Sequence, residues 1–202
     1  MIKEFIEMPR FEKLVGRTFR FLSPNTWTTL SLLIAIFATL LVFHQHRMWG
    51  VILFAVASIC DLIDGKVARI NHKSTHLGAY WDGIVDRFVD ALLILCFFDL
   101  TFPQLIPIEI LLFLLLFVTL MPPFIVAYAN HRLAIPDPTE KVIWRIAFRI
   151  EYFILFLLVI FLNSFSPLWS YYLLWASFIL MLVTMIQSLI LVFIKAGNYP
   201  QS

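Results

Sequence analysis

Four aspartates lie close together in a chain that is otherwise mostly apolar. They are Asp61, Asp64, Asp82 and Asp86, in a sequence of 202 residues of which 61% are hydrophobic and only 13 are acidic. On helices, the first two aspartates share one face and the last two share another. Because an ionisable side chain at membrane depth costs roughly 3 kcal/mol, such residues seldom occur there without a function.

The spacing of these carboxylates predicts a metal-dependent reaction. Carboxylates held close together repel one another unless a cation neutralises them. Oxygen ligands favour hard ions such as Mg²⁺, Mn²⁺ or Ca²⁺ over zinc. Four carboxylates shared by two helix ends suit a pair of ions about 3.5–4 Å apart, which clamp both sides of a phosphoryl displacement. We therefore expect two Mg²⁺ (or Mn²⁺) ions and phosphoryl-transfer chemistry.

The residues between the aspartates fit a nucleotide diphosphate. Gly65 and Ala68 leave one helix face bare, so that a nucleotide can lie close to the backbone. Arg69 can pair with a phosphate through two parallel hydrogen bonds. Gly78, one turn before Asp82, allows a ligand or a neighbouring helix to approach closely.

Asp90 continues the stripe of acids by one more turn. We expect it to pair with a metal ligand or with Arg87 rather than to bind a metal itself.

The rest of the chain predicts an all-α, polytopic membrane protein. With 21 phenylalanines and only 14% charged residues, its composition lies outside that of soluble domains. Long unbroken apolar runs exclude a β-barrel, whose strands alternate. Six runs are each near the roughly 20 residues that cross a bilayer. We place these six transmembrane helices near residues 26–43, 48–63, 79–98, 105–129, 142–162 and 169–194.

The ends of the chain flank this six-helix membrane domain, which we assign to residues 23–195. Residues 1–22 mix aromatic and basic side chains and predict an amphipathic helix in the membrane interface. Residues 196–202 form a short tail.

The basic residues predict how the spans are oriented. The chain has 15 Lys and Arg, and in a six-span arrangement all but Arg47 fall on one side, which leaves fourteen there. Basic residues accumulate on the cytoplasmic side. We therefore expect a multi-pass protein of the cell membrane whose two termini and acidic motif are cytoplasmic.

The acidic motif as a whole resembles the signature of the CDP-alcohol phosphatidyltransferases, Asp-x2-Asp-Gly-x2-Ala-Arg-x8-Gly-x3-Asp-x3-Asp. Every fixed position is matched, with every gap correct. The matching residues are Asp61, Asp64, Gly65, Ala68, Arg69, Gly78, Asp82 and Asp86.

This resemblance implies roles for the individual residues. The metal ligands would be the four aspartates, Asp61, Asp64, Asp82 and Asp86. Asp86 would also be the general base that deprotonates the acceptor hydroxyl. The CDP group would contact Asp61, Gly65, Ala68, Arg69 and Gly78. The reaction implied is attack of an alcohol on the phosphorus that carries the lipid or alcohol moiety, with release of CMP.

A second cytoplasmic cluster of basic residues is the candidate acceptor site. It contains Arg132, Lys141, Arg145 and Arg149. These residues either anchor the membrane face or bind the phosphate of an acceptor such as inositol phosphate or glycerol phosphate. Asn130 and Glu151 nearby are also compatible with an acceptor that lacks phosphate.

We therefore predict an enzyme of phospholipid biosynthesis that uses a CDP-alcohol, preferably a CDP-lipid, and a small polar acceptor. The alternatives left open are serine or inositol as acceptor and CDP-inositol as donor. More distant alternatives are an intramembrane prenyltransferase, which would need a second acidic cluster, and a divalent-cation transporter, which would need acids on more spans. Membrane lipids are expected partners, nucleic acid is not, and a homodimer is the common assembly in the family.

Overall fold

The computed structural model describes residues 16, 18, 19, 21–70, 75–103, 107–135 and 146–197. Within them the chain is all-helical, as the composition predicts, with six α-helices and one short 3₁₀ helix, Cys96–Asp99. The α-helices are α1 (Pro24–Phe43), α2 (Arg47–Ile70), α3 (His76–Leu95), α4 (Ile108–His131), α5 (Arg149–Asn163) and α6 (Pro167–Gly197). Most of the predicted interfacial helix at residues 1–22, and most of the tail, lie outside the described residues.

The six helices occupy the places of the six predicted spans. Among the described residues, three of them (α1, α4 and α6) are long and apolar enough to cross a membrane, judged by length and composition. Helices α2 and α3 carry the charges of the acidic motif, and α5 has only 15 residues. Helix α2 continues past its apolar stretch to Ile70, so that both of its aspartates are helical.

Side-chain caps define where two of these helices begin. Ser23 precedes Pro24, and its hydroxyl accepts a hydrogen bond from the backbone N–H of Thr26. Proline suits this position because the N–H groups in the first turn of a helix have no acceptor within the helix. The N–H that proline lacks therefore costs no hydrogen bond. Thr75 caps α3 in the same way, accepting from the N–H of Gly78. The start of α3, and with it the register of Asp82, is thus fixed locally.

Residues up to Leu100 form one compact unit, in which α1 packs most extensively against α2 and then against α3. Ala35 and Ala38 of α1 are completely buried, so that the helix backbones come close together. At the end that carries the motif, Trp27 of α1 packs with Cys60, Ile63 and Val67 of α2. This cluster fixes the position of α1 beside the acidic motif.

The opposite end of this first unit is closed by polar contacts. The side-chain amide of Gln45, in the α1–α2 turn, donates to Asp99 Oδ2 at 2.8 Å. Arg47 Nη2 donates to the Asp99 carbonyl at 3.4 Å. These bonds connect the α1–α2 turn to the 3₁₀ helix that follows α3.

Residues from Thr101 onward form a second compact unit, in which α6 packs against α4 and α5. Ser170, Ser177 and Thr184 recur at intervals of seven along α6 and are completely buried. The Ser170 hydroxyl donates to the Val159 carbonyl of α5 at 2.8 Å. Small hydroxyl residues at such a seam allow helices to approach closely in an apolar environment.

We predict that Gly50→Ala destabilises the first unit by about 1–3 kcal/mol, the usual cost of overpacking. A β-carbon added at Gly50 would collide with the side chain of Val42 and lie 3.1 Å from the Ala38 carbonyl oxygen. The measurement is reversible unfolding in mixed micelles.

Gly83→Ala is the matched control, since no atom lies within 4 Å of a β-carbon added there. Alanine is the better helix former, so this variant should be stabilised by about 0.5–1 kcal/mol. Equal stabilisation by both substitutions would contradict the close contact at Gly50.

Candidate active site

The structure brings together three of the four predicted aspartates. Asp61 and Asp64 from α2 and Asp82 from α3 each direct a carboxylate oxygen to one point, and these oxygens all lie within 4.8 Å of one another. Asp64 is almost completely buried, with 4% of its surface exposed. Three carboxylates at such distances repel strongly, and a hard divalent cation among them removes that repulsion. The donor set therefore fits the predicted metal.

Asp86 lies one turn further along α3. Among the residues the structure describes, it is not a member of this group of three carboxylates. Its Oδ2 atom is instead 3.5 Å from Nη2 of Arg87, and its Oδ1 atom is shielded from solvent. A fourth metal ligand at Asp86 stays a prediction, and so does its role as a base.

A cavity of about 160 Å³ opens beside the three carboxylates. Its walls include four of the five residues predicted to bind CDP, and Asp61 belongs to the carboxylate group. The lining residues are Pro24, Asn25, Thr28, Asp64, Gly65, Ala68, Arg69, Thr75, Gly78, Ala79 and Asp82. Small residues, one arginine and two carboxylates thus surround a space suited to a phosphorylated ligand and its cation.

The two glycines of the motif serve this cavity differently. A β-carbon added at Gly65 would have only Arg69 Nη1 near it, at 3.9 Å, so the backbone of α2 is open to a ligand. A β-carbon added at Gly78 would lie 3.0 Å from Asn25 Oδ1 and equally close to Thr75 Oγ1. Gly78 therefore allows the first turn of α3 to lie against α1.

The first turns of α1 contribute residues that the sequence analysis missed. Thr28 Oγ1 donates a hydrogen bond to Asp64 Oδ2 at 2.5 Å, and both side chains are buried. Trp81 Nε1 of α3 donates to Thr29 Oγ1 at 3.1 Å. Helix α1 thus holds both acidic helices. The signal for this in the sequence was a pair of threonines one turn after Pro24, in a mostly apolar helix.

Two of the four predicted acceptor residues are described, both in the second unit. Arg132 Nε donates to the Tyr128 hydroxyl at 3.1 Å, and its guanidinium lies 5.5 Å from the centre of that ring. The Arg149 guanidinium lies 5.8 Å from the ring centre of Phe153. Stacking on an aromatic ring orients a cation without neutralising it. Lys141 and Arg145 lie outside the described residues.

Gln187 is a polar residue of the mostly apolar α6. Its Oε1 atom accepts a hydrogen bond from the backbone N–H of Ile146 at 2.9 Å. This bond attaches the segment before α5 to α6. Glu151 then caps the start of α5, where its Oε2 atom accepts from the N–H of Phe148. Arg149 is therefore carried on a helix end that is fixed from two sides.

Comparison with known proteins places most of the chain in one family. A family model described as CDP-alcohol phosphatidyltransferase matches residues 21–192. The bifunctional IPC transferase and DIPP synthase of Aquifex aeolicus is 35% identical over 68 residues, which are 34% of this chain and 16% of that protein. The archaetidylinositol phosphate synthase of Pyrococcus horikoshii is 28% identical over 120 residues, 58% of this chain and 60% of that protein. The matches thus span less than two thirds of these relatives.

The fold is shared with a protein of known structure. The phosphatidylinositol phosphate synthase of Mycobacterium tuberculosis, in a crystal structure with CDP-DAG bound, superimposes with a TM-score of 0.76 at 20% identity. That alignment covers 96% of this chain and 98% of the other. Its complex with manganese and citrate gives a TM-score of 0.77 at 19% identity, covering 95% and 93% of the two chains.

We predict that Thr28→Val weakens the binding of Mn²⁺ to the three-carboxylate group by about 10–100-fold, the usual effect of removing a residue that orients a metal ligand. Valine keeps the shape of threonine but cannot donate to Asp64. The affinity is measured from the electron paramagnetic resonance signal of free Mn²⁺.

Thr39→Val is the control, because this buried threonine lies near the opposite end of α1 from Thr28 and donates to the Ala35 carbonyl of its own helix. It should bind Mn²⁺ like the wild type. Unchanged Mn²⁺ affinity in Thr28→Val would show that Thr28 does not orient Asp64.

Proposed function

The chain belongs to the CDP-alcohol phosphatidyltransferase family, and on this premise we propose that it transfers a phosphoalcohol group from a CDP-alcohol to the hydroxyl of a small polar acceptor, with release of CMP. The preferred donor is a CDP-lipid. One observation carries the proposal. The carboxylates of Asp61, Asp64 and Asp82 converge beside a cavity whose walls are Gly65, Ala68, Arg69 and Gly78.

Mg²⁺ or Mn²⁺ is the cation that these carboxylates fit best. All donors are hard oxygen atoms, and the buried Asp64 is held in place by Thr28. A cation bound there would neutralise the diphosphate of the donor and stabilise the departing CMP. The manganese in the M. tuberculosis structure supports this choice. We propose two ions, with Asp86 as a ligand of the second.

The cavity residues bind and orient the donor. The open backbone at Gly65 and the small side chain of Ala68 allow the nucleotide to lie against α2. Arg69, at the end of that helix, lines the cavity and pairs with a phosphate. Because Gly78 brings α3 against α1, the donor is enclosed by three helices and water is excluded from one side of the diphosphate.

Asp86 accepts the proton of the acceptor hydroxyl. As this proton leaves, the hydroxyl oxygen forms a bond to the phosphorus that carries the lipid. The bond from this phosphorus to the bridging oxygen breaks, and that oxygen leaves with CMP. The position of Asp86 outside the group of three carboxylates supports this separate role. A carboxylate placed in this way typically accelerates a reaction about 10²–10⁴-fold.

A phosphorylated acceptor is favoured, with inositol phosphate first and glycerol phosphate second. Arg132, Lys141, Arg145 and Arg149 supply positive charge in the second half of the chain. The guanidinium groups of Arg132 and Arg149 lie over the rings of Tyr128 and Phe153, which orient them. The relatives named as archaetidylinositol phosphate synthase and phosphatidylinositol phosphate synthase point the same way.

All six helices cross the membrane in this proposal, with both termini and the active site on the cytoplasmic side. Among the described residues, three helices are long and apolar enough to cross a membrane. Helices α2 and α3 cross with their charged ends at the cytoplasmic face. The short α5 also begins at that face, after the basic residues that precede it in the sequence. The fourteen basic residues on one side of this arrangement support the orientation.

We predict that Asp86→Asn lowers the rate of CMP release by at least about 100-fold, because asparagine cannot accept the proton. The assay follows CMP released from a CDP-diacyl lipid in detergent with Mg²⁺ and each candidate acceptor. Binding of the CDP-lipid, measured by calorimetry, should survive the substitution.

Glu109→Gln, in the exposed first turn of α4, is the matched control and should turn over at the wild-type rate. Normal CMP release in Asp86→Asn would rule out this residue as the base. No CMP release by the wild type with any acceptor would contradict the proposed reaction itself.

For a phosphorylated acceptor, we predict that Arg149→Ala raises the acceptor KM about tenfold or more, since a charged hydrogen bond to phosphate is lost. The KM for the CDP-lipid should stay the same. The measurement is steady-state CMP release with inositol phosphate and, separately, with glycerol phosphate.

Lys195→Ala is the control for a general loss of positive charge at the membrane face. If both variants keep the wild-type KM, Arg149 anchors the membrane face and does not bind the acceptor. Turnover with serine or unphosphorylated inositol, together with no turnover with inositol phosphate or glycerol phosphate, would show that the acceptor carries no phosphate.

A further inference from the structure

Asp90 is an acidic side chain that the proposed reaction does not use. It lies on α3 one turn beyond Asp86, and none of its surface is exposed. Removing a carboxylate from water is costly unless a partner of opposite charge accompanies it. Its presence within an apolar stretch of helix therefore calls for a role that an apolar residue could not fill.

Arg87 connects Asp90 to Asp86. Its Nη2 atom lies 3.4 Å from Asp90 Oδ2 and 3.5 Å from Asp86 Oδ2. One guanidinium nitrogen thus contacts carboxylates from two successive turns. This matches the partner that the sequence predicts for Asp90.

The contact between Asp86 and Arg87 is unusual for neighbours in a helix, because consecutive side chains point in different directions. The arginine side chain has to turn along α3 to reach back to Asp86. Asp90, three residues ahead of Arg87, is at the spacing that holds an arginine in this way. Asp86 and Asp90 themselves are four residues apart, where like charges repel. Arg87 between them converts that repulsion into two attractions.

We propose that Arg87 and Asp90 are positioning residues, and that they fix the carboxylate of Asp86 in the direction from which it meets the acceptor hydroxyl. The inference rests on the proposed function, in which Asp86 is the base. Holding Oδ2 of Asp86 against Arg87 also determines where its Oδ1 atom points. A misplacement of about 1 Å in a reacting group is enough to slow a reaction by roughly 100-fold.

The test compares Asp90→Asn with wild type in the CMP-release assay, with three further measurements. These are the thermal midpoint, the KM for the CDP-lipid and the affinity for Mn²⁺. Positioning predicts a kcat lower by about 10–100-fold. The KM and the affinity of the three-carboxylate group for Mn²⁺ should both stay within about twofold, because Asp61, Asp64 and Asp82 are untouched. Asp99→Asn, at the other end of the same unit, is the control and should keep its kcat.

The double variant Arg87→Gln with Asp90→Asn tests whether the two residues act together. If both act through Asp86, the double variant should be no slower than the slower single variant. Losses that multiply would show two independent effects and overturn the proposal.

Asp90→Glu serves if Asp90→Asn does not fold. Glutamate keeps the negative charge at this position, but its longer side chain displaces the contact with Arg87, so kcat should still fall. A wild-type kcat in the folded variants, accompanied only by a lower thermal midpoint, would mean that the pair is purely structural and would overturn the inference. Failure of the proposed function looks different: either the wild type would release no CMP with any acceptor, or Asp86→Asn itself would release CMP at the wild-type rate.

Discussion

The repulsion among three carboxylates is the constraint on which the rest of this structure depends. One carboxylate oxygen each of Asp61, Asp64 and Asp82 lies within 4.8 Å of the others, in a chain that is 61% hydrophobic. Water does little to relieve that repulsion at the nearly buried Asp64, whereas a hard cation bound among the three carboxylates would remove it. Such a cation would also attract the diphosphate of the proposed donor, because a cation held by carboxylates retains the ability to bind phosphate oxygens.

Helix packing in the first unit keeps these charges together. Completely buried alanines let α1 approach its neighbours, and Gly78 does the same for the first turn of α3. The Thr28 hydroxyl donates to Asp64, and Trp81 bonds to Thr29, so α1 holds both helices that carry the acids. An apolar helix with a few hydroxyl groups at one end can therefore orient a site to which it contributes no carboxylate.

A single helical turn separates two different environments for the acids of α3. Asp82 joins the two aspartates of α2, whereas Asp86 contacts Arg87 and, through it, the buried Asp90. A group that binds a cation needs its charge directed at that cation. A group that takes up a proton needs a defined direction towards a hydroxyl. The environments of the two aspartates on α3 differ in this way: Asp82 lies beside other carboxylates, and Asp86 lies beside a guanidinium group. Their spacing in the sequence does not show this difference.

The sequence by itself determined the helices and the acidic motif expected to bind the CDP-alcohol, because both depend on local spacing. Apolar length predicted the six helices, and the intervals from Asp61 to Asp86 predicted which acids share a face. Contacts between distant residues were decided only by the tertiary structure. The bond from Thr28 to Asp64 joins residues 36 positions apart, and no helical period relates them. The contact of Asp86 with Arg87, and not with the group of three carboxylates, was likewise shown only by the structure. The helical repeat predicts which side of a helix a residue occupies, whereas the packing of the helices determines which residues that side contacts.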